Sequence, residues 1–379
     1  MEKIRGTNLG NWLVLEKWMQ PEMFEKYGVE DETWLVRKVP ADELAPLMKA
    51  HRDTYVTEDD FRFIAENGLN MVRLPVPYFV FGDRPPFLGC IEYVDKALDW
   101  AEKYGLKVLL DLHTTPHSQN GYDNGGITGV CKWCKYPDEV EFALTVLERL
   151  AQRYGKREGL FGIEVLNEPI SWIVYITAPS TGKSVDKEEA KGSGHVPLPF
   201  LRDFYTKAYQ RIRKYMSEDK TVVFHDGFRC THWNRFFREA GFKNVALDTH
   251  IYIFAMENFV PIAKPWVYRI YLNACMAQVR KAQKDIPVIV GEWCICNKYA
   301  NKMNQSVMSI EERDRVQTEK YRTIADMELT AWKETAGWFY WNYQLLRDRS
   351  KPTDEPWKES WDLWRCIRNG WLKKEDFSR

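Results

Sequence analysis

The feature that most constrains the fold is an alternation of short apolar runs with longer amphipathic stretches along almost the whole chain. Eight runs have the length and composition of buried strands, and they are Ile4 to Leu9, Asn70 to Leu74, Lys107 to Leu112, Gly162 to Leu166, Thr221 to Phe224, Val245 to Asp248, Pro287 to Val290 and Gly337 to Trp341. Stretches with helical periodicity lie between them, for example Ile91 to Tyr104, Glu139 to Tyr154 and Phe200 to Met216. Because repeated strand–helix units favour a parallel sheet, we expect an α/β protein with a single (β/α)8 barrel.

Size and charge narrow the class of protein further. The chain has 379 residues, and its 54 Lys and Arg balance 54 Asp and Glu, so the formal net charge is zero. A nucleic-acid-binding protein normally has a clear basic excess, which is missing here. No apolar run reaches the roughly 18 residues of a membrane span. Since α/β barrels often exceed about 250 residues as one unit, we expect one domain over residues 1–379.

The segment Ile170 to Pro199 breaks the alternation, because it is too long for an ordinary loop between a strand and a helix. It follows the fourth predicted strand, so we expect it at the mouth of the barrel. Its first part, Ile170 to Ile176, is apolar and aromatic, whereas residues 182–194 are charged and rich in glycine. We expect Trp172 and Tyr175 to fold over the cleft there. The alternative is that the segment packs against neighbouring helices without a role in the site, or that it forms a contact between subunits.

The cysteines and the N-terminal sequence bear on the cellular compartment. Eight cysteines are spread thinly, and Cys131 and Cys134 form a lone C-x2-C pair, so reduced thiols are favoured over a zinc site. The first residues, MEKIRGTNLGNWLVLE, show no apolar signal region. We therefore expect a cytoplasmic protein, although a secreted protein whose signal peptide had been removed would look the same.

Polar residues follow the ends of the predicted strands, where the working residues of a (β/α)8 barrel lie. Two of them are glutamates: Glu168 in LNEP (166–169) and Glu292 in GEW (291–293). Hydrolysis of a glycosidic bond needs two carboxyl groups, one to protonate the leaving oxygen and one to attack or stabilise the sugar cation. Isolated acids at strand ends also occur as ion-pair partners, so the pair alone leaves a structural role open. Chain-wide, 16 Trp, 19 Tyr and 19 Phe suit a protein that stacks sugar rings.

The chain resembles glycoside hydrolase family 5, a family of retaining (β/α)8 enzymes, and is most similar to its exo-β-1,3-glucanase and β-glucosidase branch. The resemblance runs nearly end to end. It is carried by RGTNLGNWLVLE (5–16), NMVRLPV (70–76), DLHTTPHSQNGYDNGG (111–126), GIEVLNEP (162–169), HDGFR (225–229), DTHIY (248–252), IVGEW (289–293) and GWFYWNY (337–343). One such motif is weak evidence, whereas eight in the correct order are strong.

The resemblance implies a role for each matching residue. It implies Glu168 as general acid/base and Glu292 as nucleophile. Arg73 would lie beneath Glu292 and keep it ionised, Tyr252 would hydrogen-bond it, and His250 would lie near the acid.

Further matching residues would bind the substrate. The resemblance implies that Asn167 holds the sugar 2-hydroxyl, that His113 and Glu16 bind hydroxyls of the non-reducing sugar, and that Trp341 is its stacking floor. The implied residues of the loop beside the cleft are Tyr122, Asp123 and Asn124. His225 is interpreted as structural, and Cys294 as a packing residue.

These observations predict a retaining, exo-acting β-glycosidase that hydrolyses short β-linked gluco-oligosaccharides and needs no cofactor or metal. A β-mannosidase is the close alternative, and a non-catalytic sugar-binding barrel is an alternative of a different class. A metal-dependent hydrolase is weakened by scattered histidines that form no H-E-x-x-H or H-x-H pair. Retention predicts carboxyl groups about 5 Å apart. It also leads us to expect that repulsion raises the pKa of the acid while Arg73 keeps the nucleophile ionised.

Overall fold

The computed structural model describes residues 2–177, 183–301, 309–345, 348–351, 353 and 355–377. Eight parallel strands form a closed barrel in which each strand pairs with the next along the chain and the last pairs with the first. The strands are β1 (Ile4–Asn8), β2 (Met71–Val76), β3 (Lys107–Leu112), β4 (Leu160–Glu164), β5 (Thr221–His225), β6 (Val245–His250), β7 (Val288–Trp293) and β8 (Gly337–Tyr340). The predicted barrel is confirmed, and every predicted strand overlaps an observed one. That the whole chain is one domain stays a prediction.

Helices surround the barrel. In chain order they are α1 (Pro21–Glu25), α2 (Glu32–Lys38), α3 (Ala41–Tyr55), α4 (Glu58–Glu66), α5 (Ile91–Tyr104), α6 (Pro137–Tyr154), α7 (Trp172–Thr177), α8 (Lys187–Ala190), α9 (Leu198–Arg213), α10 (Phe236–Glu239), α11 (Ile253–Met256), α12 (Pro265–Ala282), α13 (Lys298–Asn301), α14 (Ile310–Trp332), α15 (Leu363–Arg368) and α16 (Lys374–Phe377). Among the described residues, no helix is long and apolar enough to cross a membrane.

Local sequence explains where the predicted helices begin and end. Helix α5 has its predicted bounds, because Gly105 follows it with φ 71°, the left-handed conformation that ends many helices. Helix α6 begins two residues before the prediction, since Pro137 occupies the first turn, where its missing N–H and fixed φ cost nothing.

The floor of the barrel is apolar. Seven strands each contribute one buried side chain to a compact cluster, and these are Ile4, Met71, Leu109, Val223, Ala246, Ile289 and Phe339. Gly6 leaves room for this packing, because a Cβ there would lie 2.3 Å from the ring of Phe339. Arg73 lies two residues beyond Met71 and so points to the same side of β2. The polar side chains described below therefore lie above an apolar floor, at the C-terminal ends of the strands.

The insertion at 170–199 has an exposed first part. Trp172, Ile173 and Ile176 on α7 are 56%, 64% and 49% exposed, so the expectation that the whole of this part packs down is wrong. The reason is that apolar side chains surround this short helix, and one and a half turns cannot direct all of them to the same side. That Trp172 and Tyr175 cover the cleft stays a prediction. Residues 178–182 of the insertion lie outside the described residues.

The second part of the insertion is tied to the loop that follows β3. Gly194 donates its N–H to the carbonyl of Cys131 at 2.9 Å, and the N–H of Cys131 donates to Oγ of Ser193 at 3.0 Å. Glu189, on α8 of the insertion, forms a two-point ion pair with Arg37 of α2, with both contacts at 2.8 Å. The charged segment is therefore anchored rather than a freely solvated tip.

Helix α14 buries a carboxyl group away from the barrel mouth. The side chain of Glu328 has no exposed surface, and neither of its oxygens has a hydrogen-bond partner among the residues that the structure describes. Burial raises the pKa of Glu328 well above its ordinary value. Burial therefore favours the neutral, protonated form of this carboxyl in the folded protein.

Replacing Glu328 by Leu is expected to increase the free energy of unfolding at pH 8 by about 1–3 kcal/mol, because an unpartnered polar group no longer has to be buried. The sign with pH follows from the raised pKa: the folded state binds a proton that the unfolded state has lost. The natural protein therefore loses stability as the pH rises from about 4.3 towards the folded pKa. Urea unfolding at pH 5 and pH 8 measures the difference in stability between Glu328→Leu and the natural protein, which should be larger at pH 8.

The control is Glu319→Leu on the same helix, where the side chain is 64% exposed. It should change the free energy of unfolding by less than about 0.5 kcal/mol. A Glu328→Leu variant that is less stable at both pH values would contradict the prediction.

Candidate active site

Two glutamates meet at the barrel mouth on either side of His250. Nδ1 of His250 lies 2.8 Å from Oε1 of Glu168 and 3.4 Å from Oε2 of Glu292. These two carboxylate oxygens are therefore no more than about 6.2 Å apart, the sum of the two distances. That limit lies below the roughly 6.5–9.5 Å separation of inverting glycosidases and accommodates the ~5–5.5 Å of retaining ones. Glu168 has φ 43°, a conformation that non-glycine residues adopt mainly at turns and functional sites.

Glu292 is held by an arginine and a tyrosine. Nη1 of Arg73 donates to Oε1 of Glu292 at 3.0 Å, and the hydroxyl of Tyr252 donates to Oε2 at 2.7 Å. Nη2 of Arg73 donates to Oδ1 of Asn167 at 2.9 Å. This contact leaves Nδ2 of Asn167 facing Nε2 of His113 at 3.3 Å. The structure thus brings together five residues that the sequence placed on separate strands.

The electrostatics of the two carboxyl groups differ from the expectation. Burial alone would raise the pKa of Glu168, but hydrogen bonds from His250 and Asn124, together with the charge of His250, lower it below its ordinary value. Burial raises the pKa of Glu292, and the charges of His250 and Arg73 oppose that rise without cancelling it. The expected rise in the pKa of Glu168 is therefore wrong for this state, because the sequence did not reveal how closely His250 approaches Glu168. The charge of Arg73 favours the ionised form of Glu292, as expected.

The surroundings of His250 favour its protonated form. Burial alone would lower its pKa, yet the charges of Glu292 and Asp248 and its hydrogen bonds raise it well above the ordinary value. His225 lies beside it, with ring centres 4.4 Å apart, and behaves oppositely. Burial lowers the pKa of His225 well below its ordinary value, and its Nδ1 accepts the N–H of Gly227 at 2.9 Å. A neutral His225 is consistent with the structural interpretation.

Within the described part of the chain, two groups of side chains have potential metal-ligand atoms within 4.8 Å of one another, and both contain His250. The groups are Glu168, His225 and His250, and Glu164, Asp248 and His250. A metal ligand must be a neutral imidazole, whereas the carboxylates around His250 raise its pKa and favour the protonated form. The hydrogen bonds described here account for these groups, and the absence of a metal requirement stays a prediction.

One side of the mouth is lined by Glu16, His113 and Trp341. The rings of His113 and Trp341 stack with centres 5.7 Å apart and planes 10° apart. Nε1 of Trp18 donates to Oε2 of Glu16 at 2.7 Å. Burial and the nearby charge of Asp123 raise the pKa of Glu16 well above its ordinary value, so two acidic side chains share this end of the site.

The loop at 121–126 contacts the carboxylate of Glu168. Nδ2 of Asn124 donates to Oε2 of Glu168 at 3.0 Å, and Nδ2 of Asn120 fixes Asn124 by donating to its Oδ1 at 2.9 Å. Tyr122 is half-buried next to them, and burial together with the charge of Glu168 raises its pKa. Asn124, expected in the loop beside the cleft, thus contacts the carboxylate of Glu168 directly.

The sequence analysis missed a layer of polar side chains around Arg73. They are Asn8, Asp111, Glu164 and Asp248, and all are buried. Oδ2 of Asp111 lies 2.5 Å from Nδ1 of His113, and Oδ1 of Asp248 accepts the N–H of Gly291 at 2.6 Å. A signal was present: Asp111 precedes His113 by two positions, and Asp248 precedes His250 by two. That spacing places both members of each pair on the same side of a strand.

Comparisons with known proteins agree with this geometry. Residues 41–344 match the family model described as cellulase (glycosyl hydrolase family 5). The chain is 33% identical to a probable glucan 1,3-beta-glucosidase A of Emericella nidulans, over 97% of this chain and 89% of that protein. It is 32% identical to a glucan 1,3-beta-glucosidase of Blumeria graminis, over 90% of this chain and 82% of that protein. Among solved structures, a rutinosidase from Aspergillus niger has a similar fold, with a TM-score of 0.74 at 21% identity over 98% of each chain.

Proposed function

The chain belongs to glycosyl hydrolase family 5, and we propose that it is a retaining, exo-acting β-glycosidase that hydrolyses short β-linked gluco-oligosaccharides by double displacement. The observation that carries the proposal is the arrangement of Glu168 and Glu292 across His250, with oxygens no more than about 6.2 Å apart. Arg73 and Tyr252 hold Glu292, and Asn124 holds Glu168. These contacts support the roles proposed for the two carboxyl groups.

In the first step, an oxygen of Glu292 attacks the anomeric carbon as the bond from that carbon to the leaving oxygen breaks. The leaving oxygen takes a proton from Glu168. Nδ1 of His250, 2.8 Å from Oε1 of Glu168, is the group that supplies this proton to Glu168 in the proposed mechanism. As Glu292 becomes an ester, it loses the charge that does most to raise the pKa of His250. The proton then favours Glu168, at the moment when the leaving oxygen needs it.

In the second step, the carboxylate of Glu168 takes a proton from water while the water oxygen bonds to the anomeric carbon. Glu292 leaves as a carboxylate, and its returning charge restores the proton to His250. Asn167 would hold the 2-hydroxyl, a contact that strengthens in the transition state. Retention of configuration follows from two successive inversions.

Separate observations support a glucoside as the substrate and exo action as the mode of cleavage. The named relatives are glucan 1,3-beta-glucosidases. The end of the site with Glu16, His113 and Trp341 is buried, and the anchored part of the insertion lies against the loop after β3 that carries Asp123. A closed end suits removal of a terminal sugar. A β-mannosidase remains the alternative, because the 2-hydroxyl of mannose differs only in direction.

Aryl β-glycosides of glucose, mannose, galactose and xylose test the proposal, followed by natural disaccharides. We expect the highest kcat/KM with glucose, and proton NMR should show the β-anomer as the first-formed sugar. No hydrolysis of any of them would instead support a non-catalytic sugar-binding barrel. A first-formed α-anomer would exclude double displacement.

Trp172→Ala is expected to raise KM for disaccharides by about 2–10-fold and to leave aryl glycosides nearly unchanged. Trp172 lies only four residues after Glu168 and is exposed, so it is available to stack on the leaving sugar with an energy of roughly 0.5–1.5 kcal/mol. Initial rates with both substrate types measure this. Trp266→Ala, which removes an equally exposed ring (58%) from α12, is the matched control. Equal KM values for the two variants would contradict the prediction.

A cytoplasmic location stays a proposal from the sequence. Fractionation of the source cells, with the activity followed in each fraction, tests it.

A further inference from the structure

The guanidinium of Arg73 is buried and shared among several side chains. Its partners at hydrogen-bond distance are Asn8, Asp111, Glu164, Asn167 and Glu292. Among the residues that the structure describes, only Glu164 contacts it at two points: Oε2 accepts from Nε at 2.7 Å, and Oε1 lies 3.1 Å from Nη2. Asp111 makes one contact at 3.0 Å and is also bound to His113. Glu164 is therefore the partner that fixes the orientation of the guanidinium.

A two-point contact along one edge of a planar guanidinium prevents its rotation. With the Nε–Nη2 edge on Glu164, Nη1 is directed at Oε1 of Glu292 and Nη2 also reaches Oδ1 of Asn167. Glu164 stands at the end of β4, three residues before Asn167. The end of β4 and the segment directly after it thus carry Glu164 and Asn167, two of the side chains that accept hydrogen bonds from Arg73.

We propose that Glu164 is a positioning residue, which holds Arg73 at two points and so fixes how its guanidinium is divided between the nucleophile Glu292 and the 2-hydroxyl-binding Asn167. The proposal rests on the proposed function, because it takes Glu292 as the nucleophile. Glu164 touches neither substrate nor reacting atoms. Its effect on the reaction passes through Arg73.

The chemistry of the contact requires a carboxyl group with this reach. Glutamine has one acceptor oxygen and would turn an N–H towards an N–H of Arg73. Aspartate keeps two acceptors but is one methylene shorter. In both variants the guanidinium is free to turn away from Glu292 and Asn167, and Arg73 itself is still present.

The test is Glu164→Gln in the full-length enzyme, with an aryl β-glucoside as substrate. We expect kcat to fall by roughly 10–100-fold, the cost of misplacing a group that supports the chemistry, with KM changed by less than about threefold. The charge of Arg73 opposes the rise in the pKa of Glu292. A displaced Arg73 therefore raises that pKa further, and the acid limb of kcat/KM should move to higher pH by about half a unit to one unit.

A second readout separates positioning from general damage. On an aryl 2-deoxy-β-glucoside, which has no 2-hydroxyl for Asn167, the loss caused by Glu164→Gln should be smaller than on the glucoside. Glu328→Gln is the matched control, since it also alters a fully buried carboxyl but lies outside the site. It should change neither the acid limb nor the ratio of the two substrates. If Glu164→Gln is not obtained folded, Glu164→Asp is measured in the same way.

Labelling with a 2-deoxy-2-fluoro-β-glucoside that has an activated leaving group distinguishes this proposal from the proposed function. We expect the label on Glu292 in both proteins, formed more slowly in Glu164→Gln. A label on Glu292 at the natural rate, with an unchanged acid limb, overturns the role of Glu164 alone. A label on another residue of the natural protein overturns the assignment of the nucleophile.

Discussion

Glu292→Ala is expected to abolish turnover of every β-glycoside, including aryl glycosides whose leaving groups need no protonation. The reason is that formation of the glycosyl-enzyme requires a nucleophile whatever group departs, and alanine offers none. The loss should be on the order of 10⁴–10⁶-fold in kcat, as for other nucleophiles that act as part of a unit. Initial rates with 2,4-dinitrophenyl and unsubstituted phenyl glucosides measure it. Both substrates should lose activity to the same extent.

The variant also removes the partner of Arg73 and Tyr252 on the nucleophile side, so its folding must be checked. Thermal unfolding of Glu292→Ala and of Glu319→Ala, an exposed control on α14, provides that check. A 2-deoxy-2-fluoro-β-glucoside should label the natural protein and Glu319→Ala but not Glu292→Ala. Substantial hydrolysis of the dinitrophenyl glucoside by folded Glu292→Ala would show that another group attacks the sugar.

The barrel could be predicted because its signals are local in the sequence. Apolar runs with strand length and the amphipathic period of the helices do not depend on distant residues. The strand bounds were less well predicted where polar residues continue a strand. Strand β7 extends through Glu292 to Trp293, whereas the apolar run ended at Val290. Pairing with β6 and β8 extends the strand through polar residues there, and the sequence alone does not show it.

For the candidate site, too, the features with local sequence signals could be predicted, whereas contacts between distant residues could not be predicted. Strand-end positions and motifs were enough to identify the residues around Glu168 and Glu292. The directions of their pKa shifts depend on distances across the barrel mouth, such as the 2.8 Å from His250 to Glu168, and these distances have no local signal. Trp172 was expected to be packed, because apolar residues usually are. Its exposure depends on how the short helix α7 leaves the barrel.

Glu168→Ala is expected to separate the two steps of the reaction. With a dinitrophenyl glucoside, departure needs little protonation, so Glu292 is glycosylated nearly as fast as in the natural protein. With a phenyl glucoside or a disaccharide the first step should slow by about 10²–10⁴-fold, the usual contribution of a general acid. The second step lacks its base with every substrate, so the glycosyl-enzyme should accumulate. A burst of dinitrophenolate and the added mass on Glu292 measure that accumulation.

Azide should restore turnover of Glu168→Ala and give a β-glucosyl azide. The structure provides a reason beyond the empty volume: Nδ1 of His250 and the donor Nδ2 of Asn124 both face the place of the missing carboxylate. A small anion that needs no base is stabilised there and attacks the same face of the sugar as the water it replaces. Asn124→Ala is the control, since it weakens the hold on Glu168 but retains the base, and azide should give it no rescue. An α-glucosyl azide, or rescue of both variants alike, would show that Glu168 is not the acid/base.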